Sequence, residues 1–429
     1  MRYHPLPSAM FIDHRNFFKS QLEGQSLAVF VSNDQMPTNA DGSMGFKQNS
    51  DLFYLCGIDQ EETLLVVFSD AFTGNPDALL FIRETNAHIA VWEGEKLSIE
   101  AARQQSGIAK VYWMRDFDSV MRPYFFQAQH IYLNENEHTR RSIDVETRQS
   151  RFNRDLKAKL PLHNFKRCAP IMHRIRAVKT AHEMEYIQQA CNITEMGFRR
   201  LLTFLKPGVF EYELEAELIH EFIRNRANGF AYGPIIASGK NACVLHYVEN
   251  TSPCQDGDLV LIDAAAEYAN YASDLTRCIP VNGRFSKRQK AVYDAVLRVH
   301  RFAASLLVPG QRFDDFNTRV GECMTEELLQ LNLLKSADVK AQTAVPAYKK
   351  YFMHGTSHFL GLDVHDVGYF HEPIKAGMVF TVEPGIYIPE EGLGIRIENN
   401  FMVTTTKPLD LMQNIPIETE AIEALMAKR

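Results

Sequence analysis

Three histidines, His354, His358 and His365, fall in the stretch FMHGTSHFLGLDVHDVG (352–368), among glycines and apolar residues. Imidazole is the commonest metal ligand and the usual general base near neutral pH. His354 and His358 are four residues apart, which on a helix would set both on one face. Gly355, Gly361 and the lack of a helical period point instead to strand and loop. In an extended segment, residues four apart share a face but lie roughly 13 Å from each other. They can line one site without both touching one ion. One histidine ligand and two substrate-facing histidines is the economical arrangement. His246, in NACVLHYVEN (241–250), is a further candidate for the same pocket.

The carboxylates recur in a pattern. DGDLVLIDAA (256–265) resembles AGMVFTVEPG (376–385), and each has an acid six residues after its glycine, Asp263 and Glu383. Each copy then has a second acid beside another apolar strand: Asp274 in SDLTRCIPV and Glu398 in IENNFMV. A buried ionised carboxylate costs several kcal/mol unless it is paired or bound to a cation. A single acid of this kind would more simply face solvent, or pair with Arg277 or Arg396. Four acids in two matched pairs argue against that. Their charge balances two divalent ions, which suggests a dinuclear centre. Two ions about 3.5–4 Å apart can share a hydroxide and clamp a transition state. Oxygen-rich ligation with a little imidazole suits manganese, cobalt or zinc and disfavours copper(I) and iron–sulfur.

The elements that must position these groups also recur. FLKPGVFEYELEAEL (204–218) resembles LLVPGQRFDDFNTRV (306–320): a helix end, Pro-Gly, then an acidic helix start, with the two Pro-Gly pairs 102 residues apart. Both echoes run in the same order, so a duplicated half-domain with pseudo-twofold symmetry is expected. Upstream, Thr180 with Glu183 reads as a capping box. Ile187, Cys191, Thr194, Phe198, Leu201 and Leu205 then follow on one helical face.

The first 165 or so residues read as α/β, with strands at AVFVS (28–32), LLVVF (64–68), LLFI (79–82), IAVW (89–92) and IYL (131–133) and a helix over 95–106. The aromatic segment 46–59 reads as packing. KRCAPIMHRIRAVKT (166–180) is basic and reads as a linker, so domains are expected at 1–172 and 173–429.

The chain has 429 residues, 45% apolar and 23% charged, with a net charge of −7. No Lys/Arg block marks a nucleic-acid surface. The seven cysteines are scattered, odd in number and without a C-x-x-C pair, against a disulfide framework or a thiolate zinc site. The N-terminus lacks a signal core, and no apolar run reaches the 18 to 20 or so residues that span a bilayer. A reduced, cytoplasmic protein with no nucleic-acid or membrane partner is expected.

LIDAAAEYANYASDLTR, HGTSHFLGLDVHDVG, TVEPGIYIP and GIRIEN together resemble the metal-site motifs of the aminopeptidase P and prolidase branch of the pita-bread metallopeptidases. FKQNSDLFYLCGIDQEE (46–62) resembles the non-catalytic domain of bacterial aminopeptidase P, so the likeness covers essentially the whole chain. Ala264-Ala265-Ala266 replaces the Ala-Gly stretch common in the family, with residues still small.

The resemblance implies an α/β N-terminal domain followed by an α+β pita-bread (creatinase/methionine aminopeptidase-like) catalytic domain with internal pseudo-twofold symmetry. It implies Asp263, Asp274, His358, Glu383 and Glu398 as metal ligands, with Asp274 and Glu398 bridging two ions, typically Mn2+, with Co2+ or Zn2+ as alternatives. His246, His354 and His365 would line the substrate pocket. His365 would donate to the oxyanion, Glu383 would shuttle a proton, Arg396 would steady the carboxylates from outside, and the substrate's amino group would meet the acids around Asp263. The implied substrates are peptides with proline in second position, whose tertiary nitrogen defeats peptidases that need an N–H there. A homodimer or homotetramer is implied as well. The rival readings are a prolidase, which shares every ligand, a methionine aminopeptidase, and a metal-free binding module, which would need lost ligands.

Overall fold

The computed structural model describes residues 2–74 and 76–428. It divides into two compact units, Tyr3–Ile175 and Arg176–Arg429.

The first unit is built on six strands: β1 (Ser26–Val31), β2 (Leu64–Phe68), β3 (Ala78–Ile82), β4 (Lys110–Trp113), β5 (His130–Leu133) and β6 (Asn164–Arg167). Their order is β4-β3-β2-β1-β5-β6. The central pairs β1–β2 and β2–β3 are antiparallel, and the outer pairs are parallel. Every residue of β1, β2 and β3 is buried, as expected for strands covered on both faces, and this explains their unbroken apolar runs.

One expected strand is absent. IAVW lies in the helix Ala87–Glu93, capped by Asn86, whose side chain accepts the Ile89 N–H. Val91 and Trp92 are exposed at 79% and 76%. A four-residue apolar run fits strand or helix equally, and the Asn cap tips it to helix. Strands β4 and β6, short and only partly apolar, escaped the sequence reading. The segment read as a linker is ordered instead: β6 ends at Arg167 and a helix runs Ala169–Ala177.

The second unit displays the repeat. The helices Ala181–Phe204 and Glu211–Arg224 form one pair, and Lys287–Ser305 and Phe313–Gln330 the other. Each pair is joined through a Pro-Gly turn in which the glycine takes a left-handed φ, +92° at Gly208 and +88° at Gly310. The capping box at Thr180 and Glu183 is present, and Ile187, Cys191, Thr194, Phe198 and Leu201 are buried along that helix.

Each repeat also supplies an antiparallel pair of strands. Leu259–Asp263 pairs with Thr276–Pro280, placing Thr276 opposite Asp263. Val379–Val382 pairs with Asn399–Met402, placing Val382 opposite Asn399. A bridge between Thr276 and Glu398 connects the two pairs. The residues of 352–368 form no helix and touch the second pair through a bridge between Phe359 and Phe380.

That loop is anchored by a buried ion cluster. Asp366 accepts from Lys179 Nζ at 2.8 Å and from Arg176, and all three side chains are at most 4% exposed. Gly361 makes room for it: a Cβ there would lie 2.1 Å from Asp366 Oδ2 and 2.7 Å from Lys179 Nζ. All seven cysteines are free thiols. Among the described residues, no helix is long and apolar enough to cross a membrane.

Candidate metal centre

The four acids of the echo occupy strand ends that the bridge between Thr276 and Glu398 draws together. Asp263 closes its strand and Asp274 stands two residues before the partner strand. Glu383 follows Val379–Val382, and Glu398 precedes Asn399–Met402. Asp274, His358 and Glu398 each offer a ligand atom within 4.8 Å of the others, and all three are buried. His358 Nε2 lies 3.3 Å from Asp274 Oδ2 and 3.7 Å from Glu383 Oε1.

Hydrogen bonds decide which atoms are free to bind. His358 Nδ1 lies 2.9 Å from the Phe359 carbonyl oxygen, which can only accept. Nδ1 therefore carries a proton, and Nε2 is the nitrogen turned toward the carboxylates. A backbone carbonyl fixing the far nitrogen is the usual support of a metal-binding imidazole. Glu398 Oε1 is buried with no hydrogen-bond partner among the described residues. Asp274 is held by its own peptide group: its N–H donates to Asn400 Oδ1 at 3.0 Å, and its carbonyl accepts from Asn400 Nδ2 at 2.8 Å.

Asp263 is engaged from outside. It accepts from Arg396 Nη2 and from the Tyr232 hydroxyl, each at 2.6 Å. Arg396 Nη1 donates to the Tyr387 hydroxyl at 2.8 Å, and that hydroxyl lies 2.8 Å from His354 Nε2. His354 Nδ1 lies 2.7 Å from the Gly355 carbonyl. The tautomers follow from the acceptors. Nδ1–H donates to Gly355, and Tyr387 donates to Nε2. His354 is held neutral, its pKa pushed down to about 3 by burial and by Arg396. Arg277, the other cation considered for these acids, donates to Thr276 O, Glu398 O, Pro416 O and Asn399 Oδ1 instead.

The electrostatics call for cations. Burial raises the Glu398 carboxyl well above its usual range, and Asp274, Glu383 and Asp263 raise it further. Burial takes Glu383 up to about 7 against the pull of His358 and Arg396, with Asp274 and Asp263 pushing the same way. Burial also raises Asp263, with Arg396 pulling it back. Crowded carboxylates of this kind favour either protons or metal ions. The His358 nitrogen turned to the carboxylates, the Glu398 oxygen with no partner among the described residues and the hard oxygen donors fit divalent cations.

The remaining histidines border this cluster. The His365 ring centroid is 4.3 Å from that of His358, edge to face, and the residue is exposed. His246 is exposed and close enough to His354 to affect its protonation. Tyr232, Tyr387, Asn400 and Thr276 were not singled out in the sequence. Thr276, Tyr387 and Asn400 lie inside stretches quoted for the acids and motifs, which was the one available signal.

The residues 185–405 match the model of metallopeptidase family M24, and 11–132 match that of the aminopeptidase P N-terminal domain. The chain is 35% identical to a Xaa-Pro aminopeptidase of Haemophilus influenzae, over 98% of both chains. It is 34% identical to that of Escherichia coli, over 97% of both. The solved structure of Escherichia coli aminopeptidase P with the inhibitor Pro-Leu superposes with a TM-score of 0.88 at 32% identity, covering 99% of both chains. The two-part architecture expected from the sequence is therefore the observed one, and the chain belongs to the M24 metallopeptidases, in the aminopeptidase P branch.

Proposed function

We propose that this protein releases the first residue from peptides whose second residue is proline, with two divalent ions held by Asp263, Asp274, His358, Glu383 and Glu398. Mn2+ is read as the working ion, with Co2+ and Zn2+ as substitutes. The observation that carries this reading is His358 Nε2 directed into a group of buried carboxylates, one of which has an oxygen with no hydrogen-bond partner among the described residues.

Bound divalent ions supply Lewis acidity and bring the pKa of water toward neutrality. The chain's own residues do the rest. Glu383 takes the proton of the attacking water and returns it to the proline nitrogen as the C–N bond breaks. His365, exposed beside His358, donates to the carbonyl oxygen as negative charge grows there. His246 and His354 line the pocket. Arg396 fixes Asp263, and the acids around Asp263 receive the substrate's ammonium group. The domains are read as 1–172 and 173–429, in a cytoplasmic homo-oligomer.

The test is to load metal-free protein with Mn2+ and offer Gly-Pro and a longer peptide beginning Arg-Pro-Pro. Release of arginine from the longer peptide, lost in Glu383→Ala, is the expected outcome. Cleavage of Gly-Pro alone would make the enzyme a prolidase. Failure of the protein to bind metal would overturn the dinuclear reading.

A further inference from the structure

Thr276 is fully buried at the start of its strand, opposite Asp263 and bridged to Glu398. Its Oγ1 lies 3.1 Å from Arg396 Nε and 2.7 Å from Glu398 Oε2. A guanidinium N–H can only donate, so the hydroxyl oxygen accepts from Arg396. The single hydroxyl proton is then committed to Glu398 Oε2. The other Glu398 oxygen, Oε1, is the buried one with no partner among the described residues.

The backbone holds this arrangement in place. The Glu398 N–H donates to the Thr276 carbonyl at 3.1 Å. Arg277 Nη1 ties the two carbonyls together, at 2.9 Å from Thr276 O and 2.7 Å from Glu398 O. The two oxygens of Glu398 are therefore unequal. One is oriented by a hydroxyl that is itself oriented by Arg396, and the other is left open.

We propose that Thr276 is a positioning residue: its hydroxyl sets the plane of the Glu398 carboxylate, presents Oε1 to the metal ions and so determines how tightly they bind. The inference rests on the reading of Glu398 as a ligand. Outer hydrogen bonds of this kind are worth about 10–100-fold in metal affinity. Serine retains the hydroxyl, and valine keeps the shape of threonine without it.

The experiment is a calorimetric titration of Mn2+ into the full-length metal-free protein, for the wild type, Thr276→Val and Thr276→Ser. Thermal unfolding of each, without metal, serves as the control for folding. Thr276→Val is expected to weaken binding by about 10–100-fold, with Thr276→Ser holding wild-type affinity. Wild-type affinity in Thr276→Val would overturn the inference. Equal weakening in Thr276→Ser and Thr276→Val would also overturn it, because packing rather than the hydroxyl would be responsible. If Thr276→Val does not fold, Thr276→Ala against Thr276→Ser makes the same comparison. A wild type that binds no Mn2+ would overturn the ligand reading itself, and the inference with it.

Discussion

Arg396 Nη2 lies 2.6 Å from Asp263 Oδ2, and the two side chains are 5% and 14% exposed. Removing one member of a buried pair leaves the other charge without compensation, at about 3–5 kcal/mol. Arg396→Met is expected to lose about that much stability without metal, by chemical denaturation. Added Mn2+ should restore less stability to the variant than to the wild type, because Arg396 also fixes Asp263 and orients the Thr276 hydroxyl beside Glu398.

His300 predicts an acid-side loss of stability. It is buried in the helix Lys287–Ser305, its ring 5.7 Å from that of Phe401 and both ring nitrogens without a partner among the described residues. Burial, with Arg277 and Arg301, takes its pKa from 6.5 down to about 3. The unfolded chain therefore binds the extra proton first. The stability from neutral His300 is present above pH 6.5 and drains away as pH falls toward 3. The slope is about 1.4 kcal/mol per pH unit at most. His300→Leu should flatten the denaturation midpoint between pH 6 and about 4.

Glu183 predicts the opposite sign. Burial takes its pKa from 4.5 up to about 7, with Lys179 pulling the other way. Here the folded chain binds the extra proton, so the contribution is fully present below pH 4.5 and lost as pH rises through about 7. Glutamine can complete the capping box equally well. Glu183→Gln should therefore raise the melting temperature at pH 8, by an amount corresponding to about 2–3 kcal/mol, and change it little at pH 5.

Sequence reading found what is local or repeated. The run LLVVF is a strand because five adjacent apolar residues, two of them valines, suit a fully buried position. The Pro-Gly echo located both helix pairs, and the acid echo located the carboxylates. IAVW failed because four residues cannot distinguish periods, and exposure of Trp92 is invisible in a string. Segment 166–180 looked like a linker because the partners of Arg176 lie 187 and 190 residues further on. Thr276 was invisible for the same reason, since its hydroxyl acquires a role only beside Glu398, 122 residues away.

The bridge between Thr276 and Glu398 makes the candidate metal centre a keystone. Each repeat contributes one strand pair and two acids, so neither repeat encloses an ion alone. Ligands that bind only the folded state stabilise it, by about 2.7 kcal/mol at a hundred times the dissociation constant. Here that stabilisation acts at the seam between the two strand pairs, where like charges otherwise push them apart. Chelation should therefore open the molecule along this seam first. Faster hydrogen exchange at the Glu398 amide, with the strands β1 to β3 unchanged, would register the keystone's removal.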